Sequence, residues 1–199
     1  MKKNGKQEVV IVTMTKSKFE KLSKDKQRVV VAQDVLDRIA LKQIIPNGGS
    51  FCTINDNNGE HYDDDIQVSE ILKKPKTTCY ACAKGGLFLA YIGIVNNYSG
   101  DVFGYGYFRD SQELDSEEMK KLSKIFTPKQ LSLIETTFEH KSYDWNTPLT
   151  TQEEEKCFDF HKKYGYKKGE NEFNTYSDKT KVLKAICNNI IKNEGTFTL

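Results

Sequence analysis

The 199-residue chain lacks an excess of either charge: 30 lysines and arginines meet 28 aspartates and glutamates, a net charge of +2. A dedicated nucleic-acid binder carries a marked basic surplus, so that class is excluded as the main role. A leader is not visible either. Met1-Lys-Lys-Asn-Gly-Lys runs into a short mixed segment rather than an apolar core, which predicts no secretory signal. Long apolar runs are also scarce. The only one covers 79–95, and at ~1.5 Å per residue it reaches about 25 Å, short of the ~30 Å hydrocarbon core of a bilayer. It also holds two glycines and a lysine near its start, so the prediction is a buried helix and no membrane association.

Signatures of catalysis are missing too. There is no Gly-x-Ser-x-Gly elbow and no His-Glu-x-x-His, and His61, His140 and His161 are the only histidines. Lys84-Gly85-Gly86 lacks the spacing of a phosphate loop. The acidic stretch Glu60-His-Tyr-Asp-Asp-Asp65 fails the EF-hand spacing, because counting back from Gly59 puts Ile54 at the first ligand position. No enzyme class is supported. Five cysteines, an odd number without a leader, predict reduced thiols in a cytosol.

What the chain does have is organised around 79–95, where Lys84 is the single charge. The run is too apolar on every side for an amphipathic helix, so it is predicted as a central helix buried on most faces. Cys82, Gly86 and Ala90 give it one small face, against which another helix can pack closely. Ser23 predicts an N-cap for a helix to about residue 42, with Val29, Val30, Ala32, Val35, Leu36 and Ile39 as its apolar stripe. Asn58-Gly59 predicts a small hairpin over about 50–62. Residues 68–74 predict a short helix that Pro75 stops, with Thr77 or Thr78 capping the central one. Asp115 or Ser116 starts a helix to about Phe126, and Thr127-Pro-Lys-Gln130 is an N-terminal box. Thr151 starts another helix ending near Gly165, and the last runs over about 178–193, with Gly195 at its end. The expected fold is therefore α+β and helix-dominated, a single domain over 1–199. About six helices surround the central one, with a small β-hairpin; 1–28 form a basic segment that could hold a strand, and 29–199 the helical body.

Three groups of residues are candidate sites. Nine lysines and arginines against three acids within 1–28 suggest a frayed terminus or a patch for an acidic partner. Lys84 and Gly85, at the predicted start of the central helix, could receive an anion such as a nucleotide phosphate. Tyr105, Tyr107 and Arg109, in the glycine-interleaved aromatic stretch, could form an adaptable contact surface. Alternatively, Cys79 and Cys82 join Cys157 and His161, which lie four apart on one helix face, in a Cys₃His zinc site. Cys79-x-x-Cys82 at a helix start could also be a redox thiol pair, but the polar segment before it does not read as the strand such a site needs. Glu135 and Glu139, with His140 beside them, read first as an exposed polar face.

Three passages together resemble a known signature: Cys79-Tyr-Ala-Cys-Ala-Lys-Gly-Gly-Leu-Phe-Leu, Phe126-Thr-Pro-Lys-Gln-Leu-Ser-Leu-Ile-Glu, and Ile186-Cys-Asn-Asn-Ile-Ile-Lys-Asn-Glu-Gly-Thr-Phe197. In this order they resemble a family of small proteins encoded by phages and by bacteria carrying phage genes, over roughly 29–199. The resemblance supplies no catalytic residues. It implies the cytoplasm of an infected bacterial host and interference with a host system. The expected function is a non-enzymatic binding protein of counter-defence type, contacting a host protein or sequestering a small nucleotide, without a cofactor. Alternatives are a zinc- or thiol-dependent site at Cys79 and Cys82, or a scaffold subunit of a phage assembly, which predicts self-association.

Overall fold

The strand that the sequence conceals inside its apolar run is the middle of the structure. A computed structural model describes residues 14–48, 51–56, 77–95, 117–141, 147–166 and 178–199. Thr77–Ala81 (β3) lies between β1 (Ile44–Pro46), which it pairs in parallel, and β2 (Cys52–Asp56), which it pairs antiparallel. The helix proper, α3, begins only at Ala83 and runs to Val95. Thr77, Cys79 and Ala81 are buried while Thr78 and Tyr80 are half-buried, the period-2 alternation of a strand. The reading of 79–95 as one helix is therefore corrected at its first turn, and Thr77 and Thr78 are strand residues, not caps. Cys79, Ala81 and Cys82 lead without a polar break into the apolar start of α3, so the end of the strand and the helix merge into one hydrophobic run.

Around α3 stand α1 (Lys16–Glu20), α2 (Lys24–Ala40), α4 (Glu117–Leu122), α5 (Pro128–Glu139), α6 (Thr151–Gly165) and α7 (Lys179–Lys192). The fold is α+β and helix-dominated, with seven helices among the described residues. Leu87, Phe88, Leu89 and Ile92 of α3 are fully buried, each contributing about 1.5–3 kcal/mol of hydrophobic stabilisation. Among the described residues no helix is long and apolar enough to cross a membrane.

The helix ends follow their caps. Ser23 accepts from Lys26, Thr127 from Gln130 and Asp178 from Lys181. The helix α6 starts at Thr151, as predicted, and its cap is Thr150: the Thr150 hydroxyl accepts from the Glu153 N–H, and the Glu153 carboxylate accepts from the Thr150 N–H. On α2 the buried face is Arg28, Val31, Ala32, Val35 and Ile39, whereas Val29 and Val30 are only half-buried. The stripe is rotated because Arg28 turns inward. Its guanidinium donates to the carbonyls of Gly195 (2.5 Å) and Ile125 (2.6 Å), pinning the C-terminal turn and the α4–α5 turn to α2. Gly195 has φ +100°, and a Cβ there would lie 2.3 Å from the Asp25 carbonyl oxygen. The second half of the predicted hairpin, the strand within 1–28 and the helix over 68–74 lie outside the described residues.

Candidate functional site

The carboxyl ends of the parallel strands β1 and β3 meet the start of α3, the place where open α/β sheets commonly hold ligands. The turn after β1 crosses this end of the sheet, and Asn47 N–H donates to the Ala81 carbonyl (2.9 Å). The Phe51 carbonyl accepts from Cys82 N–H (3.2 Å) and lies so close to Gly85 that a Cβ there would sit 1.7 Å from it. Gly85 is therefore required by a backbone crossing. Gly86 is not, since its nearest neighbour, Leu183, would be at 3.5 Å, an ordinary contact.

This end is filled by the protein's own charged groups. Glu135 on α5 accepts from the Lys84 backbone N–H (3.2 Å), and Gly85 N–H donates to Cys82 Sγ (3.4 Å). The amides that an anion would use at α3 are thus already bonded to Glu135 and Cys82. Burial raises the Glu135 carboxyl above its ordinary range, and the nearby Lys84 charge opposes that rise. Lys84 itself is only 6% exposed. One turn on, Glu139 pairs with Lys179 Nζ (3.3 Å) with its side chain 9% exposed, and Lys179 also donates to the Phe138 carbonyl (2.6 Å). Glu135 and Glu139 are therefore not an exposed polar face. The signal was in the sequence: Glu135 stands four residues after Leu131 and one after Ile134, at the edge of the apolar stripe of α5.

Cys79 and Cys82 point to different company. Cys79 sits on β3 against Cys52 of β2, while Cys82 lies beside Glu135. Burial, reinforced by the Glu135 charge, pushes the Cys82 thiol well above its ordinary value, so it stays protonated and a weak nucleophile at neutral pH. The strand that a redox pair needs is present, but burial raises the Cys82 thiol instead of lowering it. Cys157 and His161 do share a face of α6, where both reach carbonyls of α5: Cys157 Sγ donates to Leu133 (3.6 Å) and His161 Nδ1 to Thr137 (2.7 Å). Among the described residues no three of His, Cys, Asp or Glu are grouped to hold a metal ion. Cys79, Cys82, Cys157 and His161 therefore do not converge on one ion.

His161 is 1% exposed, stacks on His140 (4.8 Å between centroids, 9° between planes), and leaves Nε2 buried without a partner among the described residues. Tyr166 joins the pair, its hydroxyl 3.2 Å from His140 Nδ1. Tyr166 also lines an open groove of about 610 Å³ between the end of α6 and the outer face of α7, which the sequence reading did not single out. Lys163 and Tyr164 form one side, and Lys181, Lys184, Asn188 and Lys192 the other. The last four recur at i, i+3, i+7 and i+11, opposite the buried Val182, Leu183, Ile186 and Ile190. Their helical spacing was legible, but lysines on an amphipathic helix read first as a solvated face.

Tyr105, Tyr107 and Arg109 lie outside the described residues. No family model, no curated protein and no solved structure matches this chain.

Proposed function

We propose that the protein is a non-enzymatic binding protein that docks an acidic segment of a partner protein in the groove between α6 and α7. The observation that carries this reading is the lysine row of α7 facing Tyr164 and Tyr166, with no acidic residue among the described residues that line the groove. From Lys181 to Lys192 the row extends eleven residues, about 16 Å at ~1.5 Å per residue. That length matches about five residues of extended peptide at ~3.3 Å each. The lysines lie along a line rather than converging, which suits carboxylates spread along a chain better than the clustered phosphates of a small nucleotide. The tyrosines offer apolar rings with polar tips, as contact surfaces do. In the phage setting that the sequence resemblance implies, the partner would be an acidic surface of a bacterial host protein, and the outcome would be counter-defence.

Fluorescence anisotropy with a labelled decaglutamate tests this. At up to ~1 kcal/mol per lysine, the triple variant Lys181→Gln, Lys184→Gln, Lys192→Gln should lose roughly tenfold or more in affinity. A triple Lys18→Gln, Lys26→Gln, Lys156→Gln with the same change in net charge should lose little. Equal losses in both variants, or tighter binding of a ten-residue oligothymidine than of decaglutamate, would overturn the proposal.

A further inference from the structure

Far from that groove in sequence, α1, α2 and α4 bring lysines to a single concavity of about 230 Å³. Lys16 comes from α1, Lys24 from the first turn of α2, and Lys121 and Lys124 from the end of α4 and the turn after it. Phe19 and Tyr91 are buried beneath them, and Glu20 is the only acid among the described residues of the wall. Glu20 is drawn aside by Lys16, at 3.9 Å. Here lysines of three elements line one concavity, whereas those of the groove come mostly from the single helix α7.

Part of this arrangement is built from the interior. Gln27 is buried; its amide nitrogen donates to the Phe19 carbonyl (3.1 Å), which turns its oxygen to accept from Lys24 Nζ (3.3 Å). A buried glutamine thus holds one of the ammoniums at the rim. The volume falls below the roughly 300–1,000 Å³ of sites that enclose a drug-sized ligand. It suits a phosphate or diphosphate group, with any larger remainder of the ligand left outside. Lysine is a compact point charge that serves phosphate well without the fork of arginine. We infer that this concavity is a second binding site, for the phosphate or diphosphate group of a small phosphorylated molecule.

Titration with inorganic pyrophosphate, followed by calorimetry, tests the inference on the intact chain. Lys24→Gln with Lys124→Gln should weaken binding about tenfold, at roughly threefold to fivefold per lysine. Glu20→Gln should act in the opposite sense and tighten it about threefold, because it removes a negative charge from the wall. A purely structural role for these side chains would not give opposite signs. The α7 triple variant should bind pyrophosphate unchanged, so this site can fail without the peptide groove failing, and the reverse. The inference is overturned if pyrophosphate does not bind at millimolar concentration, if the double lysine variant binds like the wild type, or if Glu20→Gln weakens binding.

Discussion

The buried imidazole of His161 makes the stability of this protein depend on pH in a direction the structure fixes. Nδ1 is 2.7 Å from the Thr137 carbonyl, which can only accept, so Nδ1 carries the proton and Nε2 is the bare nitrogen. Nε2 has no partner among the described residues, and a Cβ on Gly165 would sit 3.1 Å from it, so there is little room for one. Burial, aided by the charges of Lys179 and His140 and opposed by the bond to Thr137, lowers the imidazole from 6.5 to about 4. The unfolded chain therefore takes up a proton near pH 6.5 that the folded chain refuses until about pH 4. Stability from this group is full above pH 6.5 and is lost as pH falls through that window. At ~1.36 kcal/mol per pH unit the loss approaches about 3 kcal/mol, with about 2 kcal/mol gone by pH 5. Glu135 works the other way, since its raised carboxyl favours the folded state as pH falls, and it must be held constant. Urea unfolding of the wild type and of His161→Gln at pH 7.5 and pH 5 does so, because Glu135 is common to both. The wild type should lose about 2 kcal/mol more than the variant between the two pH values. Equal losses would mean that His161 is not held neutral by burial.

Adjacent glycines should respond to alanine with opposite signs. Gly85→Ala should cost about 3 kcal/mol, as the Phe51 carbonyl must give way, whereas Gly86→Ala should be neutral or stabilising by up to ~1 kcal/mol through helix propensity. Matching midpoints in a urea titration would refute the backbone crossing. Arg28→Ala should cost about 3 kcal/mol by leaving the carbonyls of Gly195 and Ile125 unpaired, and Arg28→Lys should restore little of it, since one ammonium cannot reproduce the fork. A loss under about 0.5 kcal/mol in either variant would contradict that role. All five cysteines are buried, so Ellman's reagent at pH 8 should react within minutes only after unfolding; a fast thiol in the native protein would point to an accessible site.

The helices were legible because their signals are local. Ser23, Thr127 and Asp178 sit where caps belong, and Gly195 takes the positive φ that a helix end favours. Strand β3 was not legible, because it runs without a polar break into α3, and its pairing with β1 and β2 joins segments far apart in the sequence. The cysteine and histidine pairs were found by spacing. Spacing did not tell that Cys79 faces Cys52, or that Cys157 and His161 are taken by α5 carbonyls. Lys84 and Gly85 were picked out for the start of a helix, but the group that meets the Lys84 amide comes from Glu135, 51 residues on, and the one that meets the Gly85 amide is the Cys82 thiol. The groove along α7 escaped notice, and the basic surplus of 1–28 did not reveal that Lys16 and Lys24 stand beside Lys121 and Lys124: a lysine on a helix surface is ordinary until the fold shows which others stand beside it.

The docking of an acidic segment is tested most directly by a two-dimensional amide NMR titration of the labelled protein with decaglutamate. The expected result is a contiguous set of shifting amides at Lys163, Tyr164, Tyr166, Lys184, Asn188 and Lys192, weakened by added salt and lost in the α7 triple variant. Shifts scattered over lysines throughout the chain, or none at α6 and α7 while other regions move, would contradict it.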